Sequence, residues 1–159
     1  MRHNMPVQIE RVRDLEPGAL NALVAESERG RMTFVRRLAD EWAAGVNRFD
    51  RPGEALFVAR DAGQVVGVGG LNIDPYAGDA TVGRVRHLYV LTAYRRLGIG
   101  ARLVAEIIET ARCSFGILRL STSNRDAARL YERLGFRPTD ATKCTHVMTI
   151  GAQRERTAR

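Results

Sequence analysis

Cysteine is scarce: Cys113 and Cys144 are the only two in 159 residues, too few for a disulfide framework and without the short pair spacing of a zinc site. Both read as reduced thiols, and no metal is expected. No apolar run approaches the roughly eighteen residues that a bilayer span requires. The opening Met1-Arg2-His3-Asn4-Met5-Pro6 lacks the apolar stretch of a signal peptide. These absences predict a soluble, cytoplasmic protein with no membrane contact. Lysine is nearly missing too, since Lys143 is the only one among 25 basic residues. The formal charge of +7 and the pI near 10.4 invite a nucleic-acid reading. The arginines are scattered, however, and aromatics, at 6% of the chain, do not interleave with a basic cluster. Nucleic acid is therefore not the expected partner.

The length is that of one ordinary domain, and 45% hydrophobic residues suffice for a real core. A single domain over residues 1–150 is expected, with a basic, frayed tail at 151–159. Val7 to Val12 alternates weakly and predicts a first strand. Two helices follow, about Pro17 to Glu28 and Thr33 to Ala44, the second placing Phe34, Leu38 and Trp42 on one face. Leu56 to Ala59 and Val65 to Val68 flank Asp61-Ala62-Gly63-Gln64, a hairpin pattern. After a turn at Asp74 to Asp79 come a strand at Thr81 to Val90, a helix after Gly98, a strand at Gly116 to Thr122, and a last strand at Cys144 to Ile150. Strands first and then strand-helix-strand-helix-strand indicate a mixed α/β sheet.

Tyr94-Arg95-Arg96-Leu97-Gly98-Ile99-Gly100-Ala101 falls where a strand hands over to a helix. A helix start has backbone N–H groups without intrahelical partners and the positive end of the dipole, so it suits an anion. Gly98 and Gly100 let that anion approach the backbone, and Arg95 and Arg96 add positive charge. A second segment, Ser123 to Phe136, reads as one short helix: Asn124 is its N-cap, Ala127, Leu130, Tyr131 and Leu134 recur at helical spacing, and Gly135 stands at the left-handed C-terminal position.

With Leu88-Tyr89-Val90 ahead of the first, these two segments resemble the GCN5-related N-acetyltransferase family, which transfers an acetyl group from acetyl-CoA to an amine. The resemblance extends over about residues 54–137. It implies the acyl-CoA N-acyltransferase fold, a central, mostly antiparallel sheet flanked by helices, and acetyl-CoA as co-substrate. It also implies that the fourth strand bulges and splays from the fifth, so that the backbone of Leu88, Tyr89 and Val90 pairs with the pantetheine arm. Arg95, Arg96, Leu97, Gly98, Ile99, Gly100 and Ala101 would then hold the pyrophosphate. Asn124 and Ala127 contact the cofactor from the second helix in this reading, and Tyr131 is the acid that protonates the departing sulfur. An unperturbed tyrosine, pKa near 10, is protonated at neutral pH and fits that role. The alternative reading of Tyr131 is a core aromatic, and of Asn124 a cap alone.

Some members carry a glutamate early in the fourth strand as general base; here that position is Arg84, which cannot serve. His87 has the only suitable unperturbed pKa nearby. Strand alternation predicts Val85, His87 and Tyr89 on one face and Arg84, Arg86 and Leu88 on the other. A water chain, or an acceptor α-amine of lower pKa, would need less help. Should Arg84 or Arg86 face the cleft, a carboxylate-bearing acceptor is favoured over a polycation. Trp42, Tyr76 and Phe34 either wall the acceptor pocket or belong to the core. The 124–136 helix is also similar to that of ribosomal-protein N-terminal acetyltransferases, making a peptide or protein N-terminus a second acceptor beside a small-molecule amine. Two other classes are a non-catalytic acyl-CoA sensor on the same fold, which fits the missing glutamate, and a nucleic-acid-binding module. Homodimers are frequent in the family.

Overall fold

In the computed structural model, which describes residues 6–151, the expected hairpin joins β2 (Ala55–Asp61) to β3 (Gln64–Ile73). Its turn residues Ala62 and Gly63 both take positive φ, 52° and 87°. That pair matches the right-handed twist of the flanking strands. β1 (Gln8–Val12) adds antiparallel to β2, and β4 (Val82–Val90) adds antiparallel to β3. The chain then crosses through α3 (Ile99–Ala111) to β5 (Ile117–Leu120), parallel to β4. α4 (Arg125–Arg133) precedes β6 (Arg137–Pro138) and β7 (His146–Thr149), and the seven strands lie in the order β1-β2-β3-β4-β5-β7-β6. Only the β4–β5 pair is parallel, so the sheet is mixed and mostly antiparallel, as expected.

Helices cover both faces. α1 (Asn21–Arg29) and α2 (Phe34–Ala44) bury Leu23, Val24, Val35, Leu38 and Trp42 against Leu56, Val58 and Val68 on one side. On the other, Leu103, Val104 and Ile107 of α3 pack on Phe57, Leu71 and Val85. Each such aliphatic side chain taken fully from water stabilises the fold by about 1.5–3 kcal/mol. α3 lies close to β3 because Gly69 has no side chain: a Cβ there would stand 3.2 Å from Ile107 Cδ1.

Several boundaries differ from the sequence reading. α1 starts at Asn21 rather than Pro17, because Gly18 at φ 81° turns the chain first. The last strand is shorter than Cys144 to Ile150, although Thr145 N–H still donates to Leu120 and Ile150 N–H to Gly116. β6 was not expected; its two residues, one of them proline, carry no alternation to read. The tail beyond residue 151 lies outside the described residues.

The alternation expected for β4 does not hold. Tyr89 pairs with Val68 and Arg86 with Gly70, so His87 and Leu88 together oppose Gly69 alone. This is a β-bulge, and His87 takes the left-handed φ of 63° that it requires. Histidine tolerates that region better than most residues, at a cost of about 1 kcal/mol. The extra residue resets the facing: Val85 and Leu88 belong to the α3 side, whereas Arg86, His87 and Tyr89 lie toward α2.

Candidate active site

β4 and β5 are paired only at Val82–Ile117, Gly83–Leu118 and Arg84–Arg119. Beyond Arg84 the strands part, and residues 85–90 have no ladder partner on the β5 side. Unpaired strand edges are templates for an extended, amide-bearing chain. Leu88, Tyr89 and Val90 lie along this edge. It runs through a single 3-10 turn, Thr92–Tyr94, into α3.

At the start of α3, Gly98 is the N-cap residue at φ 81°; no side chain caps the helix and no acidic residue sits in its first turn. The first intrahelical bond runs from Arg102 N–H to Gly98 O, at 3.0 Å. The N–H groups of Ile99, Gly100 and Ala101 therefore lack intrahelical acceptors, as helix starts do. A Cβ at Gly98 would meet nothing within 4 Å, so this end is open to an incoming anion. Arg96 and Leu97 are exposed beside it. Arg95 instead turns back across the end of β4: its Nε donates to Val90 O at 2.8 Å, its Nη2 lies 3.9 Å from Glu26 Oε1, and its guanidinium stands 5.2 Å from the Tyr89 ring centre.

α4 lies next to this helix start, since a Cβ on Gly100 would come within 3.3 Å of Leu130 Cδ2. Asn124 Oδ1 accepts from Ala127 N–H at 2.9 Å, which caps α4, and Gly135 takes φ 109° at its far end. Tyr131 is buried, with its ring edge-on to Phe136 at 5.6 Å. Its hydroxyl makes no hydrogen bond among the described residues, and burial raises its pKa above the ordinary tyrosine value, so it stays protonated. The next residue, Glu132, holds His146 Nε2 at 2.8 Å and ties α4 to β7.

Across the sheet, Arg84 is paired with Asp74 at 3.3 Å, donates to Lys143 O at 2.7 Å and lies over Tyr76. Arg119 Nε is 3.6 Å from the same carboxylate. Arg86 Nη1 donates to Asn72 Oδ1 at 3.3 Å. His87 is held between the rings of Phe34 and Phe49. Burial, helped by Arg86 and Arg37, lowers its pKa to about 3. An imidazole so poised is neutral at physiological pH and too weak to store a proton taken from an amine. Phe34 thus walls this face, Trp42 belongs to the core, and Tyr76 lies exposed over Arg84 and Lys143.

Glu26 is the residue that the sequence did not reveal. It accepts from Tyr89 Oη at 2.6 Å, from Thr92 N–H at 2.9 Å and from Thr92 Oγ1 at 3.1 Å. Burial alone would raise its pKa, but these bonds and Arg95 outweigh that and hold it below the usual carboxylate range. Burial and the same bond push Tyr89 up to about 12. No group of three or more potential metal ligands occurs among the described residues, and no described helix is long and apolar enough to cross a membrane.

The family model of the acetyltransferase (GNAT) family matches residues 20–136. The chain belongs to the GNAT family. That match takes in α1 and α2, which precede the segments legible in the sequence. Over 102 residues the chain is 35% identical to the uncharacterized N-acetyltransferase YjgM of Escherichia coli, covering 61% of this chain and 60% of that protein. The chain thus matches less than two thirds of that relative's length. A crystal structure of a candidate acetyltransferase from Exiguobacterium sp. 255-15 superposes with a TM-score of 0.82 at 33% identity, over 96% of this chain and 99% of that one. At 18% identity, the fold is also shared by yncA of Salmonella typhimurium, solved with its cofactor acetyl-CoA, with a TM-score of 0.68 over 92% of this chain and 95% of that one.

Proposed function

We propose that this GNAT member is an N-acetyltransferase that uses acetyl-CoA to acetylate a primary amine by direct attack on the thioester. The observation that carries the reading is the free edge of β4 leading straight into an uncapped helix start. The edge suits an amide-rich arm and the helix start suits a diphosphate. Acetyl-CoA, when bound, supplies the acetyl group as a thioester, so the net reaction exchanges a C–S bond for a C–N bond and moves one proton from nitrogen to sulfur.

This chain's residues divide the work. The backbone of Leu88, Tyr89 and Val90 holds the pantetheine arm and presents N–H groups to the acetyl oxygen. The N–H groups of Ile99, Gly100 and Ala101, with Arg96 beside them, neutralise the diphosphate. Gly98 keeps the approach clear, while Leu97, Asn124 and Ala127 border the same end. Arg95 reaches that end by releasing Val90 O, leaving the carbonyl to the arm. Tyr131, protonated and without a competing partner, gives its proton to sulfur.

Titration calorimetry with CoA and a CoA-release assay over a panel of amines test the proposal. Micromolar CoA binding with turnover of at least one amine is expected. Absence of CoA binding at millimolar concentration overturns it, whereas CoA binding without turnover of any amine supports an acyl-CoA sensor instead.

A further inference from the structure

The β4 bulge brings two unsatisfied groups to one face. Arg84 and Arg86 lie two positions apart on β4, yet they differ in charge balance. Arg84 is neutralised by Asp74, which is itself fully buried and shared with Arg119. Arg86 has no carboxylate within ion-pair distance among the described residues; Glu41 of α2 acts on it from farther away, against the like charges of Arg84 and Arg37. Its one bond is to the neutral oxygen of Asn72, an oxygen that also accepts from Asn47 Nδ2 at 2.9 Å. A half-buried guanidinium with its fork unfilled is costly to maintain and fits a carboxylate bidentately.

The next residue carries the second group. His87 Nε2 is the one buried side-chain nitrogen or oxygen without a hydrogen-bond partner among the described residues. The Phe34 backbone lies near enough to the ring to favour its charged form, an effect that burial outweighs. A ring kept neutral by burial carries one nitrogen lone pair, and Nε2 is the ring nitrogen left without a partner to use it on. Neutral, the imidazole does not compete with Arg86 for an anion; it accepts an N–H. Its neighbour Leu88 points through the sheet to the α3 side, on the strand edge assigned above to the thioester arm. Arg86, His87 and Leu88 are consecutive on β4, so a molecule seated on the first two adjoins the stretch assigned to the arm.

The geometry points to an acceptor that bears a carboxylate beside its amine, a free amino acid, with Arg86 binding the carboxylate and His87 Nε2 accepting a hydrogen bond from the amine. This assignment rests on the acetyltransferase reading above. It separates Arg86 from Arg84, which is already paired, and makes His87 an orienting group rather than the general base. A chain N-terminus without a free carboxylate, or a polycation facing Arg37 and Arg86, lacks the recognised group.

The test compares amino acids with their carboxamides and decarboxylated amines, in CoA-release assays and in calorimetric titrations into the protein saturated with CoA. The expected preference for the amino acid is at least tenfold in kcat/KM, with binding heat for amino acids alone. Arg86→Gln should raise the amino-acid KM at least tenfold and erase the preference without changing the dissociation constant for CoA. Arg86→Lys, which keeps the charge but not the fork, should retain part of it; both variants are checked by thermal melting. Equal turnover of the carboxamide overturns the assignment, as does a preference that survives in Arg86→Gln or a lack of amino-acid binding in the CoA-saturated protein. Those results leave the acetyltransferase reading standing. Failure to bind CoA removes both.

Discussion

Glu26 of α1 and Tyr89 of β4 are joined by a 2.6 Å hydrogen bond between the carboxylate and the phenol. The same carboxylate receives the N–H and hydroxyl of Thr92, just past the end of β4. One acidic side chain thus fastens the first helix to the strand end where the cofactor's arm is expected. It does so through partners more than sixty residues away in sequence.

Because hydrogen bonding holds the Glu26 pKa below its ordinary value of 4.5, the folded state binds fewer protons there than the unfolded chain. The resulting stability is present above pH 4.5 and is lost as pH falls through the folded pKa. Glu26→Gln should lower stability at pH 7 by about 1 kcal/mol, a shift of roughly 2–4 °C in Tm. It should also flatten the decline in Tm below pH 4.5. Thermal melts from pH 3.5 to 7 measure both; parallel curves for the two proteins would count against the linkage.

Tyr131→Phe removes a hydroxyl that makes no hydrogen bond among the described residues while leaving the ring on Phe136. Stability should change by less than about 0.5 kcal/mol. If the phenol protonates sulfur, kcat should fall by about a hundredfold or more, with CoA affinity within twofold of the parent. Stopped-time CoA-release assays and calorimetry separate these quantities.

Asn124→Ala should cost about 1 kcal/mol through loss of the bond to Ala127 N–H. Asn124→Ser restores a cap and should restore Tm. CoA affinity that stays low in the serine variant would show that the amide also contacts the cofactor; full recovery would leave capping as its whole role.

What could be read in the sequence was what neighbouring residues decide. The 125–133 helix announced itself through Asn124, its apolar spacing and Gly135, all within a dozen residues. The glycine junction did so equally. The resemblance implied a bulge in the fourth strand but not its place, so the facing of His87 could not be read; that depends on how β4 registers against Gly69 of another strand. Glu26 gave no signal, since nothing near it on α1 indicates Tyr89 or Thr92. β6 is held by its pairing with β7, not by its own two residues.

Asp74→Ala should be the most damaging of these substitutions. It leaves the Arg84 guanidinium, 8% exposed, without its carboxylate, and removes the bond to Tyr76 N–H. The expected loss is about 3–5 kcal/mol in urea denaturation. Replacing Arg84 by Met in the same chain should recover part of it, because only Arg119, which keeps its bond to Thr142 O, then lacks the carboxylate.

The arrangement on β4 is a matter of parity. Arg86 and Tyr89 are three positions apart yet share a face, which only the extra residue allows; a straight β4 of the same length would send the Arg86 guanidinium among the apolar side chains of α3 or the phenol of Tyr89 away from Glu26. One bulged residue thus keeps the guanidinium and the phenol in phase.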